Sequence, residues 1–235
     1  MNLEDLFSPE EIADRRRALL ERLLSFGQDP LPVSERALHI GHKLNGAGGT
    51  LGMTELAQEG RSLEHTARSG NVTDDILAGV MHKMQEELSR MCGDSATDVD
   101  VDPTSAEPQP ASAAKVLCVD DTPESLVVLS ALVKRLGVQV LQAKNGQEAL
   151  DVVAASAPDV VLMDRMMPGM SGDDACARMR EQGFDKPVLA VTAMACSVDD
   201  LDAPFSGLIA KPLNMAKAMQ SMREALHEAG FDLDA

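Results

Sequence analysis

In the second half of the chain, short apolar runs stop abruptly on polar residues. "KVLCV" ends on Asp120-Asp121, "DVVLM" on Asp164, "PVLAV" on Thr192 and "GLIA" on Lys211. Runs of four or five apolar residues are too short to be self-burying helices, and they lack the alternation of a strand with one wet face. Their continuity suits strands buried on both sides, the condition of a parallel sheet covered by helices. Segments of helical spacing separate them, so the pattern predicts five βα units. The strands are expected at 115–119, 138–142, 159–163, 187–191 and 207–210. Helices are expected after a capping Thr122 with Pro123 in the first turn, at 146–156, at 172–182, as a short fourth piece, and at 214–229.

Such a chain winds into a doubly wound α/β sheet of flavodoxin-like order 2-1-3-4-5, whose crevice opens where the strand order reverses, between strands 1 and 3. Those two strands deliver Asp120, Asp121 and Asp164. Three converging carboxylates repel one another unless a proton is held or a cation bound. Mg²⁺ suits them, because it prefers oxygen ligands and bridges carboxylates to phosphate oxygens. Lys211 then neutralises a further phosphate oxygen and Thr192 donates a hydrogen bond to one. Each residue alone also has a plain explanation, as a helix cap, a turn or a polar strand end. Their arrival at one edge is harder to explain that way.

Residues 115–235 resemble the receiver domain of two-component response regulators, through "VLCVDD", "VLMDRMMPGMSG", "VTAMA" and "IAKPL" in that order. The resemblance implies Asp164 as phosphoacceptor. It implies Asp121, Asp164 and the Met166 carbonyl as direct Mg²⁺ ligands, Asp120 as a ligand through water, and Thr192 with Lys211 as the switch pair. Two departures bear on signalling. Pro204 lies in the short stretch between Thr192 and Lys211, which predicts a truncated or irregular fourth helix. Leu208 stands where an aromatic switch residue is often found.

Residues 1–92 read as helical throughout. Ser8-Pro9-Glu10-Glu11 is a capping box with proline at the first helical position, and it opens a helix to about Phe26. Further helices are expected at 32–51, 54–68 and 73–92, and short turns between them predict an antiparallel four-helix bundle. On the second helix, Ala37, Ile40, Gly41, Leu44, Ala47, Gly48 and Leu51 form one stripe. His42 falls opposite it, so the spacing predicts an imidazole projecting into solvent among Leu38, His39, Asn45, Gly46 and Gly49. Gly46, Gly48 and Gly49 each cost up to ~1 kcal/mol in a helix, which suggests that something approaches closely there.

"HKLNGAGGTLG" resembles the phosphoacceptor segment of histidine-containing phosphotransfer (HPt) domains, and "TELAQEGRSLEHTARSG" resembles the helix that follows it. The resemblance implies His42 as a phosphorylated residue and its neighbours as a docking face. Neutral imidazole, with an unperturbed pKa near ~6.5, is a competent nucleophile toward an aspartyl phosphate. The family commonly carries lysine three residues after the histidine, where this chain has Asn45. His65, His82 and His227 read as surface residues.

Between the two parts, residues 93–114 combine Pro, Ser, Ala and acid without large apolar side chains except two valines, so they read as a flexible acidic linker. With five Phe and neither Trp nor Tyr, the cores must be built from Leu, Val, Ile, Ala and Met. A net charge of −17 without a clustered basic face argues against nucleic acid as a partner. The basic run Arg15-Arg16-Arg17 reads as a solvated helix face balanced by Asp14 and Glu21. Cys92, Cys118, Cys176 and Cys196 form no CxxC pair and read as reduced thiols. No stretch has the length of a membrane span and the N-terminus lacks a signal-type core, so the expected location is cytoplasmic.

The expected function is a phosphorelay protein that passes phosphoryl groups between His42 and aspartates of receiver domains. Its expected partners are a sensor histidine kinase and receiver domains of other two-component proteins. No segment resembles an ATP-binding kinase core, so phosphate must come from such a partner. The alternative is a phosphorylation-switched binding protein, in which the bundle docks a kinase and His42 is not used.

Overall fold

The computed structural model describes residues 2–91, 114–193 and 204–232. The expected linker, apart from Ala114, lies outside the described residues. So do residues 194–203, on which the expected fourth receiver helix falls, and Cys92 and Cys196. The chain divides into two compact units, residues 7–111 and residues 1–6 with 112–235.

The first unit is helical. α1 spans Pro9–Phe26 and begins as its sequence predicts: the Glu11 N–H donates to Ser8 Oγ at 3.2 Å, and the Ser8 N–H donates to Glu11 Oε2 at 2.8 Å. α2 spans Val33–Lys43 and runs into a wide π-type turn over Leu44–Gly48. α3 spans Thr54–Arg68 and α4 spans Asp74–Met91. The helix expected at 32–51 is therefore not uniform, and its widened turn coincides with Gly46 and Gly48. The predicted stripe is buried: Ala37, Ile40, Leu44, Ala47 and Leu51 are core residues, as are Leu19, Leu20, Leu23, Leu63, Leu77 and Met84 of the other helices.

The tightest helix crossing lies at glycines other than those singled out in the sequence. A β-carbon on Gly41 would stand 2.6 Å from the Glu64 amide nitrogen and 2.8 Å from the Gly60 carbonyl, and one on Gly60 would stand 2.8 Å from the Asn45 nitrogen. Only hydrogen at both positions lets α2 and α3 meet backbone to backbone. The basic run on α1 also departs from expectation. Arg15 stacks over the Phe7 ring at 4.5 Å and Arg16 Nε donates to the Leu51 carbonyl at 2.7 Å, so these half-buried cations pack against the helical unit with their stems and forks.

The second unit is a five-stranded, all-parallel sheet of order β2-β1-β3-β4-β5. Its elements are β1 Lys115–Val119, α5 Pro123–Lys134, β2 Gln139–Ala143, α6 Gly146–Ser156, β3 Val160–Asp164, α7 Gly172–Glu181, β4 Val188–Thr192, β5 Gly207–Ala210 and α8 Met215–Glu228. Three strands run one residue later than the hydrophobic pattern suggested. Backbone pairing does not depend on side-chain polarity, so Asp164 pairs with Val191 and Thr192 with Ala210 as the ladders close. A core of Leu117, Val119, Val161, Met163, Val188 and Ala190 joins Ala149, Ala175 and Met179 of the helices. Leu208 packs against this cluster, half-buried. No helix among the described residues is long and apolar enough to cross a membrane.

Candidate functional site

Adjacent parallel strands deliver their C-terminal ends to one edge, and that geometry assembles the site. Asp120 and Asp121 follow β1, Asp164 ends β3, Thr192 ends β4 and Lys211 follows β5. Asp120, Asp164 and Thr192 are fully buried, Lys211 is nearly so and Asp121 is half-buried. One oxygen from each of Asp120, Asp121 and Asp164 lies within 4.8 Å of the others. Lys211 Nζ donates to Asp120 Oδ2 at 2.7 Å and to Asp164 Oδ2 at 3.1 Å. One ammonium thus bridges two of three clustered carboxylates, a set of hard oxygen donors that fits a divalent cation.

The surrounding backbone fixes each group. Asp120 Oδ1 accepts the Thr122 N–H at 2.8 Å, and Asp164 Oδ1 accepts the Met166 N–H at 3.2 Å. Thr122 occupies the N-cap of α5 without a side-chain capping bond, contrary to the capping role its sequence suggested. The neighbouring carboxylate serves its N–H instead. At Gly172 a β-carbon would collide with the Asp164 carbonyl, so only glycine lets α7 begin directly against the strand that carries Asp164. Arg165 and Asp173 close this connection with a two-pronged ion pair, Nε to Oδ1 at 3.0 Å and Nη2 to Oδ2 at 2.8 Å. That pair was missed in the sequence; its signal was the opposite charge flanking "MMPGMSG".

Histidine 42 is placed differently from the expectation. The ring is 1% exposed rather than projecting into solvent. The Gly41–Gly60 crossing brings α3 close, and Glu64 Oε1 lies 3.3 Å from His42 Nδ1. Of the expected docking face, Asn45 and Gly46 are buried, while Leu38, His39 and Gly49 are half-buried. The His39 ring rests on Phe26, with centroids 4.1 Å apart. His65, His82 and His227 are exposed, as expected.

Glu64 is the residue that sequence reasoning missed altogether. Its carboxylate also receives Arg68 Nη2 at 2.9 Å and Asn45 Nδ2 at 3.5 Å. Burial pushes the Glu64 carboxyl up, but the hydrogen bond and charge of His42, with those of Arg68, outweigh it and hold the group at about 2. Burial pushes the Cys118 thiol up to about 12 and the Cys176 thiol up to about 11, which leaves both as small hydrophobes.

Residues 116–223 match the family model described as the response regulator receiver domain. Among curated relatives, the chain is 32% identical over 146 residues to the sensor protein GacS of Pseudomonas syringae pv. syringae, covering 59% of this chain and 16% of that protein. It is 34% identical over 121 residues to the response regulator MprA of Mycolicibacterium vanbaalenii, covering 50% of this chain and 52% of that one. The chain thus spans about half or less of the length of these relatives. Among solved structures, the response regulator TrrA of Thermotoga maritima, determined with Mg²⁺ and BeF, matches with 26% identity and a TM-score of 0.45, covering 48% of this chain and 98% of that one.

Proposed function

Starting from the receiver domain of two-component signalling that occupies residues 116–223, we propose that the whole chain is a phosphorelay protein with two phosphoryl stations, Asp164 and His42. The observation that carries this reading is the cluster of Asp120, Asp121 and Asp164, in which Lys211 bridges the buried Asp120 and Asp164. The partners are sensor histidine kinases and receiver domains of other two-component proteins. Similarity to a sensor protein and to a response regulator supports that assignment.

At the aspartate station, an Asp164 carboxylate oxygen attacks phosphorus in line with the leaving group. Lys211 Nζ, already on Asp164, offsets the charge that gathers on the phosphoryl oxygens, and the Thr192 hydroxyl donates to one of them. Asp121, Asp164 and the Met166 carbonyl would hold Mg²⁺ directly and Asp120 through water. When bound, the ion supplies charge neutralisation for the phosphoryl oxygens. At the histidine station, imidazole Nε2 accepts the phosphoryl group from an aspartyl phosphate, and the reverse transfer returns it.

The test is labelling of the full chain by candidate histidine kinases and phosphorylated receivers. Asp164→Ala should lose the base-labile acyl phosphate and His42→Ala the base-stable, acid-labile phosphoramidate. Labelling unchanged by either substitution sinks the reading. The near-complete burial of His42 favours a second reading, in which the helical unit is a docking module for a histidine kinase and His42 carries no phosphate. Full signalling by His42→Ala beside its loss in Asp164→Ala would select that second reading.

A further inference from the structure

The connection between β3 and α7 carries one of the proposed cation ligands, the Met166 carbonyl, on backbone that belongs to no helix or strand. Such a ligand is only as well placed as its loop, and ordering a loose loop at the moment of binding costs conformational entropy. Arg165 draws this loop into a ring. Its N–H donates to the Val191 carbonyl of β4 at 3.3 Å, and its carbonyl accepts the Gly172 N–H across the mouth of the loop at 3.0 Å. Its guanidinium brackets Asp173 in the first turn of α7, Nε to Oδ1 at 3.0 Å and Nη2 to Oδ2 at 2.8 Å. Two features separate this pair from an ordinary surface bridge: both prongs are engaged, and the arginine side chain is only 10% exposed. Met166 follows directly inside the ring, with its N–H on Asp164 Oδ1 at 3.2 Å. Gly169, at φ +77°, lets the ring turn back on itself.

We propose that Arg165 and Asp173 are positioning residues of the divalent cation site, clamping the β3–α7 loop so that the Met166 carbonyl is in place before the ion arrives. This rests on the Mg²⁺ site of the proposed function. Neither side chain is a ligand; both act through the backbone between Asp164 and Gly172. Charge and position make opposite demands of Arg165. As a cation next to Asp164 in the chain it opposes Mg²⁺, so on charge alone its removal tightens binding. As a clamp it favours Mg²⁺, so its removal loosens binding.

The test is calorimetric titration of the full chain with Mg²⁺ alone, for wild type, Arg165→Met, Arg165→Lys, Asp173→Asn and the double variant Arg165→Met/Asp173→Asn. Asp164→Asn identifies the heat that belongs to this site, and circular dichroism checks that each variant is folded at the titration temperature. Losing a support behind a metal ligand costs ~10- to 100-fold in affinity, so Arg165→Met should raise the Mg²⁺ Kd about 10-fold. Arg165→Lys keeps the charge, but a single ammonium cannot bracket both oxygens, so it should also bind more weakly than wild type. It gives the same contrast if Arg165→Met does not fold. Because both residues serve one contact, the double variant should bind no more weakly than the worse single variant.

Binding unchanged or tighter in either Arg165 variant, or losses that multiply in the double variant, overturns the clamp and leaves the cation site standing. A wild type without Mg²⁺ heat that Asp164→Asn removes overturns the cation site and the clamp together.

Discussion

At the scale of single residues, the receiver pocket is held by a charge balance that one lysine dominates. Lys211 contacts two buried carboxylates, so Lys211→Ala leaves Asp120 and Asp164 facing each other without their cation. Losing one partner of a buried ion pair costs about 3–5 kcal/mol. Urea unfolding in the presence of a chelator should show a loss of that size, and Mg²⁺ should restore part of it. Glu64 gives a second prediction. Its carboxyl is lowered from 4.5 to about 2, so the stability it contributes is complete above about 4.5 and disappears as pH falls toward about 2. Wild type should therefore be more stable than Glu64→Gln near pH ~5, and their unfolding midpoints should converge on acidification through that window. These residues were unequally legible in the sequence. Asp120, Asp121, Asp164, Thr192 and Lys211 could be read because each ends or follows a local apolar run. Glu64 lies on another helix from His42, and no local spacing pairs them.

At the scale of elements, helix limits were well marked wherever a cap or a period defines them, as at Ser8-Pro9 for α1. The strand ends were displaced because the hydrophobic pattern stops one residue before the hydrogen-bond ladder does. Helix crossings were less legible, since the sequence shows glycines without showing which of them a neighbour approaches. The structure separates them sharply. At Gly41 and Gly60 an added β-carbon meets backbone at 2.6–2.8 Å, whereas at Gly79 on α4 it meets nothing within 4 Å. Overpacking of this kind costs about 1–3 kcal/mol, and glycine in an open helix interior costs up to ~1 kcal/mol relative to alanine. Thermal unfolding should accordingly show Gly41→Ala and Gly60→Ala melting lower than wild type and Gly79→Ala slightly higher. The same crossing holds α3 close enough for Glu64 to meet His42, so Gly60→Ala should also disturb that contact.

At the scale of the whole molecule, two patterns of sequence produce two kinds of unit. Helical periodicity without strand-like runs gives the first, and apolar runs alternating with helices give the second, so fold class was legible from pattern alone. The placement of residues 1–6 with the second unit was not, because no periodicity marks so short a segment. The proposed relay would place two chemically separable phosphate linkages in one chain. An acyl phosphate such as acetyl phosphate tests the first station directly, since a carboxylate nucleophile beside a cation site needs no kinase to react with it. The expected label is sensitive to hydroxylamine, abolished by chelating Mg²⁺ and absent from Asp164→Ala, and it survives in His42→Ala. Adding unlabelled His42→Ala to Asp164→Ala that has been labelled by a histidine kinase or a phosphorylated receiver then separates the stations further. Each variant retains one nucleophile, so base-stable label should pass to hydroxylamine-sensitive label only when phosphate moves from the histidine of one chain to the aspartate of another. Mass spectrometry of the two chains would follow that exchange, and its absence would confine any transfer to a single molecule or to other partners.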